Sequence, residues 1–488
     1  MLFNSIDFLF FFPIVVMIYL IIPRKLRCIW LLASSYYFYM SWSPKYALLI
    51  ALSTAITFLS GILINKCRRI SHKKIVMAGS LISNLSILAL FKYGNFFLYT
   101  LNHVLNAIGF RTVQGRLNLL LPVGISFYTF QALSYTLDVY RGTIKPERNI
   151  IHYALFVSFF PQLVAGPIER SRHLLSQIHS VPAVQLWDYT RIRDGLLLMA
   201  WGLFQKLVIA DRASLLVNQV YQQYSQYGFL EIAIATILFA FQIYCDFGGY
   251  TNIALGAARV MKFELMPNFR QPYFALNIKD FWRRWHISLT SWFTDYLYIP
   301  LGGNRKGELR KNINTIIVFT VSGLWHGASW NFVAWGMIHG LYQAGGNIFN
   351  KIKEKFFPHL TTSELSFSQK IIRILKTFLL TDIAWVFFAS SSLNHAVNMF
   401  RQMSITFQTT SIYDLGLTRG NWFILCLSLG ILCIVDTLHE TGYSIYELVA
   451  HQALWFRWLL YLGLIWSTIM FGIYGIDYDA SQFIYFQF

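Results

Sequence analysis

Two histidines in apolar or aromatic surroundings are the first candidates for chemistry. His326 lies in Val-Ser-Gly-Leu-Trp-His-Gly-Ala-Ser-Trp at 321–330, and His286 lies in a tryptophan-rich segment at 281–296. Histidine in an apolar membrane segment is costly and usually functional, and an imidazole can act as a general base near neutral pH. The alternative is a buried histidine that hydrogen-bonds a neighbouring carbonyl. The pattern around His326 leaves both interpretations open.

Glycines near His326 recur at the spacing used by closely packed helices. Gly323 and Gly327 are four residues apart, and Gly336 and Gly340 repeat that spacing. Small residues at this interval allow two helices to approach closely. The spacing predicts that His326 is held between such helices, whereas His339 falls on a different helical face and is interpreted as structural.

Asp246 is the second polar group at the end of an apolar run, in Gln-Ile-Tyr-Cys-Asp-Phe-Gly-Gly-Tyr at 242–250. A carboxylate in such a run is expensive unless it is paired. Asp246 either holds a histidine or arginine in position or caps a helix that begins near Thr251, and both alternatives stay open.

Several motifs of other enzyme classes are absent from the sequence. It contains no Walker A loop, Gly-x-Gly-x-x-Gly, Gly-x-Ser-x-Gly or His-Glu-x-x-His motif, and no histidine is followed five residues later by aspartate. The five cysteines lack paired spacing, which disfavours a disulfide framework or a zinc site. We therefore expect no metal site and no permanently bound cofactor.

The amino-acid composition indicates that these residues are positioned by membrane-embedded elements. Only 13% of the 488 residues are charged and 56% are hydrophobic, whereas a soluble chain carries about 25% charged residues. The net charge is +18, but lysine and arginine form short clusters between apolar runs. Such clusters set membrane topology and contact anionic headgroups, so no nucleic-acid partner is expected.

Apolar runs near the length of a membrane helix recur along the chain and predict about ten to twelve spans in a single membrane domain, residues 1–488. They lie at about 6–22, 28–42, 46–64, 75–91, 119–137, 151–165, 195–218, 229–247, 313–333, 335–349, 370–390, 421–436 and 455–475.

The stretch 270–312 is basic and aromatic, without a continuous apolar run of span length. This mixture predicts an interfacial or re-entrant segment on the cytoplasmic side. Helical periodicity from Phe281 to Tyr296 places an aromatic stripe on one face, with His286 at its edge. We therefore predict a single helix there, ended by Pro300 and the glycines at 302–303.

These residues carry a family resemblance. Phe-Trp-Arg-Arg-Trp-His-Ile-Ser-Leu at 281–289 and Leu-Trp-His-Gly-Ala at 324–328 resemble the membrane-bound O-acyltransferase family, especially its bacterial branch that O-acetylates alginate and related envelope polysaccharides. Supporting similarity lies at 121–130, 166–167, 268–273 and 301–305. The likeness covers the chain from residue 1 to about 345 and returns in the last six residues.

The resemblance implies an all-α polytopic membrane fold. It has a ring of about ten to twelve transmembrane helices, with re-entrant or interfacial helices around a central tunnel from the cytoplasm to the outer side. The core motif region is 120–345, and 370–488 holds C-terminal spans and an aromatic tail.

One departure from the family pattern is Asp-Phe-Gly-Gly-Tyr-Thr-Asn at 246–252, where the family often has a second acid. This difference indicates that the reaction does not require a charged side chain at residue 252, which is asparagine here.

The resemblance also implies roles for individual residues. His326 matches the family's near-invariant histidine and His286 its second polar position. The expected reaction moves an acyl group, most simply acetyl from acetyl-CoA, for O-acetylation of an envelope polysaccharide, with His326 as general base and His286 or an indole N–H stabilising the oxyanion. The predicted substrate contacts are Trp325, Asp246, Gln242, Tyr250, Trp282, Arg284 and Asn304.

The aromatic end Phe-Ile-Tyr-Phe-Gln-Phe at 483–488 is either a plain interfacial anchor or a short tyrosine motif in which Tyr485 carries the acyl group. In the second case Tyr485 would pass the acyl group to a periplasmic serine-hydrolase-like (SGNH) acetyltransferase. The implied location is the bacterial inner membrane, with lipid contacts.

Two other functions stay open. One is a transporter or flippase of a polar lipid or ion, since buried histidine and aspartate also occur in such proteins. The other is acylation of a teichoic-type polymer or lipid from a carrier-protein thioester.

Overall fold

The computed structural model describes residues 1–113, 115, 119–183, 187–356, 365–407, 411–474 and 483–484. Within these ranges the chain consists of helices joined by turns, without a β-strand. Five helical stretches are long and apolar enough to cross a membrane: Pro44–Lys66, Ile70–Ala107, Phe229–Val260, Arg419–Glu440 and Leu454–Phe471. The predicted all-α, multi-pass class is confirmed, while the ring, the tunnel and the single domain over 1–488 stay predictions.

The chain divides into two compact units, and the first comprises residues 1–199 and 253–266. Its helices are α1 (Ile6–Ile21), α2 (Arg27–Met40), α3 (Pro44–Lys66), α4 (Ile70–Leu88), α5 (Gly94–Ala107), α6 (Ile125–Arg141), α7 (Ile150–Ser158), α8 (Phe160–Leu163) and α9 (Ser171–Ser180).

The second unit comprises residues 200–252 and 267–488. Two of the three boundaries between the units fall inside α10 (Tyr189–Phe204) and α12 (Phe229–Val260), and the third lies after α12, between residues 266 and 267. The other helices of the second unit are α11 (Asp211–Gln222), α13 (Ile278–Arg284), α14 (Ile287–Phe293), α15 (Gly307–His326), α16 (Trp330–Phe356), α17 (Phe367–Ala389), α18 (Leu393–Ile405), α19 (Arg419–Glu440), α20 (Ile445–Ala450) and α21 (Leu454–Phe471).

Helix α6 of the first unit is fixed at its start by a close approach of the backbone. Gly124 has a φ of 74°, and a Cβ atom at this position would lie 2.5 Å from the carbonyl oxygen of Leu163. Only glycine combines that backbone conformation with so little space. The buried Tyr153 of α7 donates a hydrogen bond to Thr57 of α3 over 2.7 Å, which satisfies its hydroxyl group inside this unit.

The core of the second unit is built from large aromatic side chains. Trp285, Trp335 and Trp385 are fully buried, and the Trp385 ring lies 5.1 Å from Trp285 and 5.7 Å from Trp335 between centroids. Such offset and tilted ring pairs stabilise a core beyond their buried area. Aromatic residues make up 18% of the sequence, and part of them therefore forms the internal packing of this unit.

Two predicted boundaries are wrong. The boundary between the predicted spans 313–333 and 335–349 lies inside α16, and the chain instead turns at 327–329, directly after His326. The predicted single helix over 281–296 is two short helices, α13 and α14, interrupted at Trp285 and His286.

Candidate functional site

His326 is the last residue of α15, in the second unit. Its side chain is buried, and aromatic rings surround it: the centroid distances are 5.0 Å to Trp325, 5.1 Å to Trp335 and 5.5 Å to Phe388. These rings come from α15, α16 and α17. Tight aromatic packing on several sides fixes the position of the imidazole and keeps bulk water away from it.

The glycine spacing around His326 produces the predicted close packing of α15 and α16. A Cβ atom on Gly323 would lie 2.2 Å from the carbonyl oxygen of Phe332, and one on Gly336 would lie 2.2 Å from that of Phe319. No side chain fits at such distances, so both positions require glycine. The close contact holds His326 in place beside the next helix of the hairpin.

His286 lies between α13 and α14 in an unusual backbone conformation. Its φ and ψ are 44° and 52°, in the left-handed region that few residues other than glycine adopt. Asn268 holds this turn from outside: its carbonyl oxygen accepts the N–H of Ile287 at 2.9 Å, and its side-chain oxygen accepts the hydroxyl of Ser288 at 2.6 Å. These bonds to a distant residue explain why the helix predicted from periodicity is broken.

The break in the helix brings the two histidines together. The fully buried His286 ring lies 6.1 Å from the His326 ring between centroids, and 6.0 Å from Trp325. Phe247 of α12 covers His286 at 4.7 Å. The result is a pair of imidazoles with an indole beside them, able to take up a proton and to polarise a carbonyl group.

His339 lies near this pair but has its own partner. The indole N–H of Trp282 donates to Nδ1 of His339 over 3.2 Å, and both side chains are buried. This contact supports the structural interpretation of His339. It also engages the polar atom of Trp282, one of the predicted substrate contacts.

Asp246 belongs to a buried cluster of charges at α10–α12. Nζ of Lys206 lies 2.7 Å from Asp246 and 2.8 Å from Asp211, and the three side chains are only 6%, 3% and 6% exposed. Both sequence alternatives for Asp246 are wrong: its partner is a lysine, and α12 runs on through Asp246 to Val260 instead of starting near Thr251.

Residues near the C-terminus contact the same cluster. The N–H of Ile484 donates to Oδ2 of Asp246 over 2.7 Å. The ring of Phe483 packs on Tyr250 at 4.9 Å, and Nζ of Lys206 lies 5.9 Å from the Phe483 centroid. Tyr485 itself lies outside the described residues. Asp246 and Tyr250, predicted as substrate contacts, are therefore brought together around residues 483–484.

The remaining predicted contacts are dispersed. Arg284 pairs with Glu440 at 2.5 Å and with Asp280 at 3.1 Å, which is a structural arrangement of charges. Asn304 is exposed in the turn before α15. Gln242 lies one turn before Asp246 on α12 and is partly buried. None of these three is in a described contact with the histidine pair.

Sequence reasoning missed three residues that shape the site: Lys206, Asn268 and Trp335. Trp335 was detectable, because it falls on the same face of α16 as His339 and Asn331 at helical spacing. Asn268 lies in one of the family-like stretches but carried no assigned role. Lys206 had no local signal, since its partner Asp246 is distant in sequence.

Comparison with known proteins places these features in a family. The model of MBOAT, the membrane-bound O-acyltransferase family, matches residues 147–388, which include both histidines. The chain is 34% identical to a peptidoglycan O-acetyltransferase from Helicobacter pylori, over 83% of this chain and 80% of that protein. It is also 34% identical to a probable alginate O-acetylase from Azotobacter vinelandii, over 85% of this chain and 80% of that protein.

A more distant relative is a teichoic acid D-alanyltransferase from Streptococcus thermophilus. It is 30% identical over 47% of this chain and 58% of that protein. These relatives are named for different acyl groups and different polymers. The matched segment covers more of this chain in the two relatives named for O-acetylation than in the D-alanyltransferase.

Proposed function

Because this chain belongs to the membrane-bound O-acyltransferase family and is a multi-pass membrane acyltransferase, we propose that it moves an acetyl group across the membrane for O-acetylation of a cell-envelope polysaccharide. The observation that carries the proposal is the buried His286–His326 pair, with ring centroids 6.1 Å apart, within the region that matches the family. Family membership favours this function over the transporter alternative.

In the proposed reaction His326 is the general base. It removes the proton from an acceptor hydroxyl, whose oxygen attacks the carbonyl carbon of the thioester. The carbon–oxygen ester bond forms, the carbon–sulfur bond breaks, and the thiolate leaves and takes up a proton. His286 or the indole N–H of Trp325 stabilises the negative charge that develops on the carbonyl oxygen. The aromatic walls around His326 limit competing attack by water.

The proposed donor is acetyl-CoA, taken from the cytoplasmic side. Lys279, Arg283, Arg305 and Lys306 are exposed in the basic stretch 270–312, and exposed cations attract phosphate groups. Arg284 is already paired with Glu440 and Asp280, so it is the weaker candidate for phosphate binding. Membrane topology alone also places basic residues on the cytoplasmic side of a membrane protein. The labelled-donor experiment distinguishes donor binding from this topological role.

A labelled donor tests the proposed function. Inverted membrane vesicles containing the full chain, supplied with acetyl-CoA labelled in its acetyl group, are expected to transfer label to an acceptor in the lumen, the former periplasmic side. Vesicles without the chain are the control. Transfer only from an acyl carrier-protein thioester would replace acetyl-CoA as donor, and no chain-dependent transfer from either thioester would refute the proposed activity.

The second part of the proposal concerns the C-terminal tyrosine. Tyr485 would accept the acetyl group on its phenolic oxygen and pass it to the serine of a periplasmic SGNH-type partner. The support is the neighbouring residue: Ile484 is held by Asp246 in the cluster with Lys206. A buried anchor for the chain one residue away suits a segment that must be positioned for a reaction.

We expect an acetylated C-terminal peptide in mass spectra of protein taken during turnover, and Tyr485→Phe should abolish transfer to the periplasmic partner because it lacks the acceptor oxygen. Phe488→Leu is the control for a general requirement for aromatic anchoring. An unmodified peptide together with a fully active Tyr485→Phe protein would leave the tail as an anchor only.

A further inference from the structure

Three potential metal ligands meet in the first unit, and none of them belongs to the histidine pair of the second unit. Glu147 precedes α7, His152 lies in the first turn of α7, and His179 lies in the last turn of α9. One ligand atom from each of them lies within 4.8 Å of the others. Glu147 and His152 are five residues apart, but His179 lies on a later helix and the three follow no recognised metal-binding spacing, so sequence reasoning missed this cluster.

The Glu147 carboxylate is oriented by the chain around it. Its Oε1 atom accepts the backbone N–H groups of Arg148 at 2.9 Å and Asn149 at 2.8 Å. The N–H of Glu147 itself donates to the hydroxyl of Tyr135 over 2.9 Å. These bonds fix one carboxylate oxygen and direct the other toward His179. Residues that bind a metal are commonly oriented in this way by hydrogen bonds to their surroundings.

The two imidazoles lie beside that second oxygen. Nε2 of His179 is 2.5 Å from Oε2 of Glu147, and the rings of His152 and His179 lie 5.2 Å apart. The His179 side chain is 52% exposed and that of Glu147 is 9% exposed, so the cluster is accessible at one side and shielded at the other. An ion can enter from solvent, and water can complete its coordination.

We propose that Glu147, His152 and His179 form a binding site for a divalent transition-metal ion, Zn²⁺ being the best fit. Two imidazoles and one carboxylate are a donor set that zinc and other first-row metals use, whereas Mg²⁺ and Ca²⁺ prefer sites made of oxygen ligands. Ligands of tetrahedral zinc are about 3.4 Å apart, which lies inside the 4.8 Å that the three ligand atoms span.

Metal binding here would join the start of α7 to the end of α9. The hydrogen bond between His179 and Glu147 would be replaced by bonds of both residues to the same ion, with His152 as the third ligand. The site is independent of the proposed acyl transfer, because it uses none of the residues assigned to that reaction.

Zinc titration tests the site directly. The full chain, purified in detergent without a histidine tag and stripped with a chelator, is expected to bind a single Zn²⁺ ion in calorimetry. Binding should be lost in Glu147→Gln, His152→Ala and His179→Ala. His173→Ala is the matched control, because His173 lies on α9, as His179 does, and pairs with Glu169 at 2.8 Å, while no described residue adds a third ligand to that pair. The hydrogen bond that His173 donates to the Glu169 carboxylate raises the pKa of His173, as in a simple ion pair.

X-ray absorption of the zinc-loaded unmodified chain gives a result that does not depend on how the variants fold. Scattering from two imidazoles with additional oxygen ligands is expected. Absence of saturable binding, a zinc shell without imidazole, or binding that persists in the three ligand variants would overturn the proposal. Equal loss of binding in His173→Ala would do the same.

Discussion

Replacing His326 with alanine is expected to lower acyl transfer by at least about 100-fold, the lower end of what a positioned general base contributes. The imidazole is enclosed by three aromatic side chains, and the other imidazole of the pair, His286, lies 6.1 Å away between ring centroids, so alanine leaves the acceptor hydroxyl without a base at this position. The measurement is the rate of labelled acetyl transfer per folded protein, together with the mass of the envelope glycans in cells that carry the variant.

His339→Ala is the matched control for that experiment. Both histidines are buried, and both rings lie 5.1 Å from the Trp335 ring, so each alanine leaves a similar cavity against the same tryptophan. If the loss came from packing alone, the two variants would lose activity equally. We expect His339→Ala to reduce thermal stability while its folded fraction stays active. Activity retained by His326→Ala would remove His326 from the proposed mechanism.

Replacing Lys206 with methionine is expected to lower the free energy of unfolding by about 3–5 kcal/mol, because it leaves buried carboxylates without their counter-ion. Lys206 contacts both Asp211 and Asp246, and all three side chains are at most 6% exposed. The measurement is unfolding by denaturant or heat in detergent. Since Asp246 also binds the N–H of Ile484, the same variant should increase protease cleavage near the C-terminus.

Lys311→Met provides the comparison for an exposed ion pair. Lys311 lies 3.4 Å from Glu308, and these side chains are 27% and 44% exposed. Removing that pair should change stability by no more than about 1 kcal/mol. The double variant Lys206→Met/Asp246→Asn should be more stable than Lys206→Met alone, because it leaves one uncompensated carboxylate instead of two. Equal stability of Lys206→Met and Lys311→Met would show that the cluster is not a structural element.

The parts of the fold that were predictable from sequence depend on local patterns. Apolar runs predicted the helices, and the glycine spacing predicted the close approach of α15 and α16, because helix periodicity turns spacing directly into one face. His326 was identified from its apolar surroundings and from its family-like motif. The apolar surroundings and the family-like motif both lie within ten residues of His326.

The parts that were not predictable depend on distant residues. Periodicity identified side chains at 281–292 that are buried, but the single helix predicted from it is wrong, because Asn268 bonds Ile287 and Ser288 at the break. Asp246 was expected to pair with histidine or arginine, or to cap a helix. Its lysine partner lies forty residues earlier, and no local pattern specifies which helices bring such charges together. The site geometry is therefore a tertiary property.

The backbone at His286 has a consequence for how this position can vary. A left-handed conformation disfavours a side chain with a Cβ atom, and holding a non-glycine residue there costs roughly 1–3 kcal/mol. Glycine at residue 286 would give the most stable fold. The proposed role of His286 in stabilising the oxyanion beside His326 requires histidine instead. A library selected only for yield should drift to glycine at this residue, while one selected for activity should keep histidine. Under the proposed mechanism, selection for expression and selection for activity therefore favour different amino acids at residue 286.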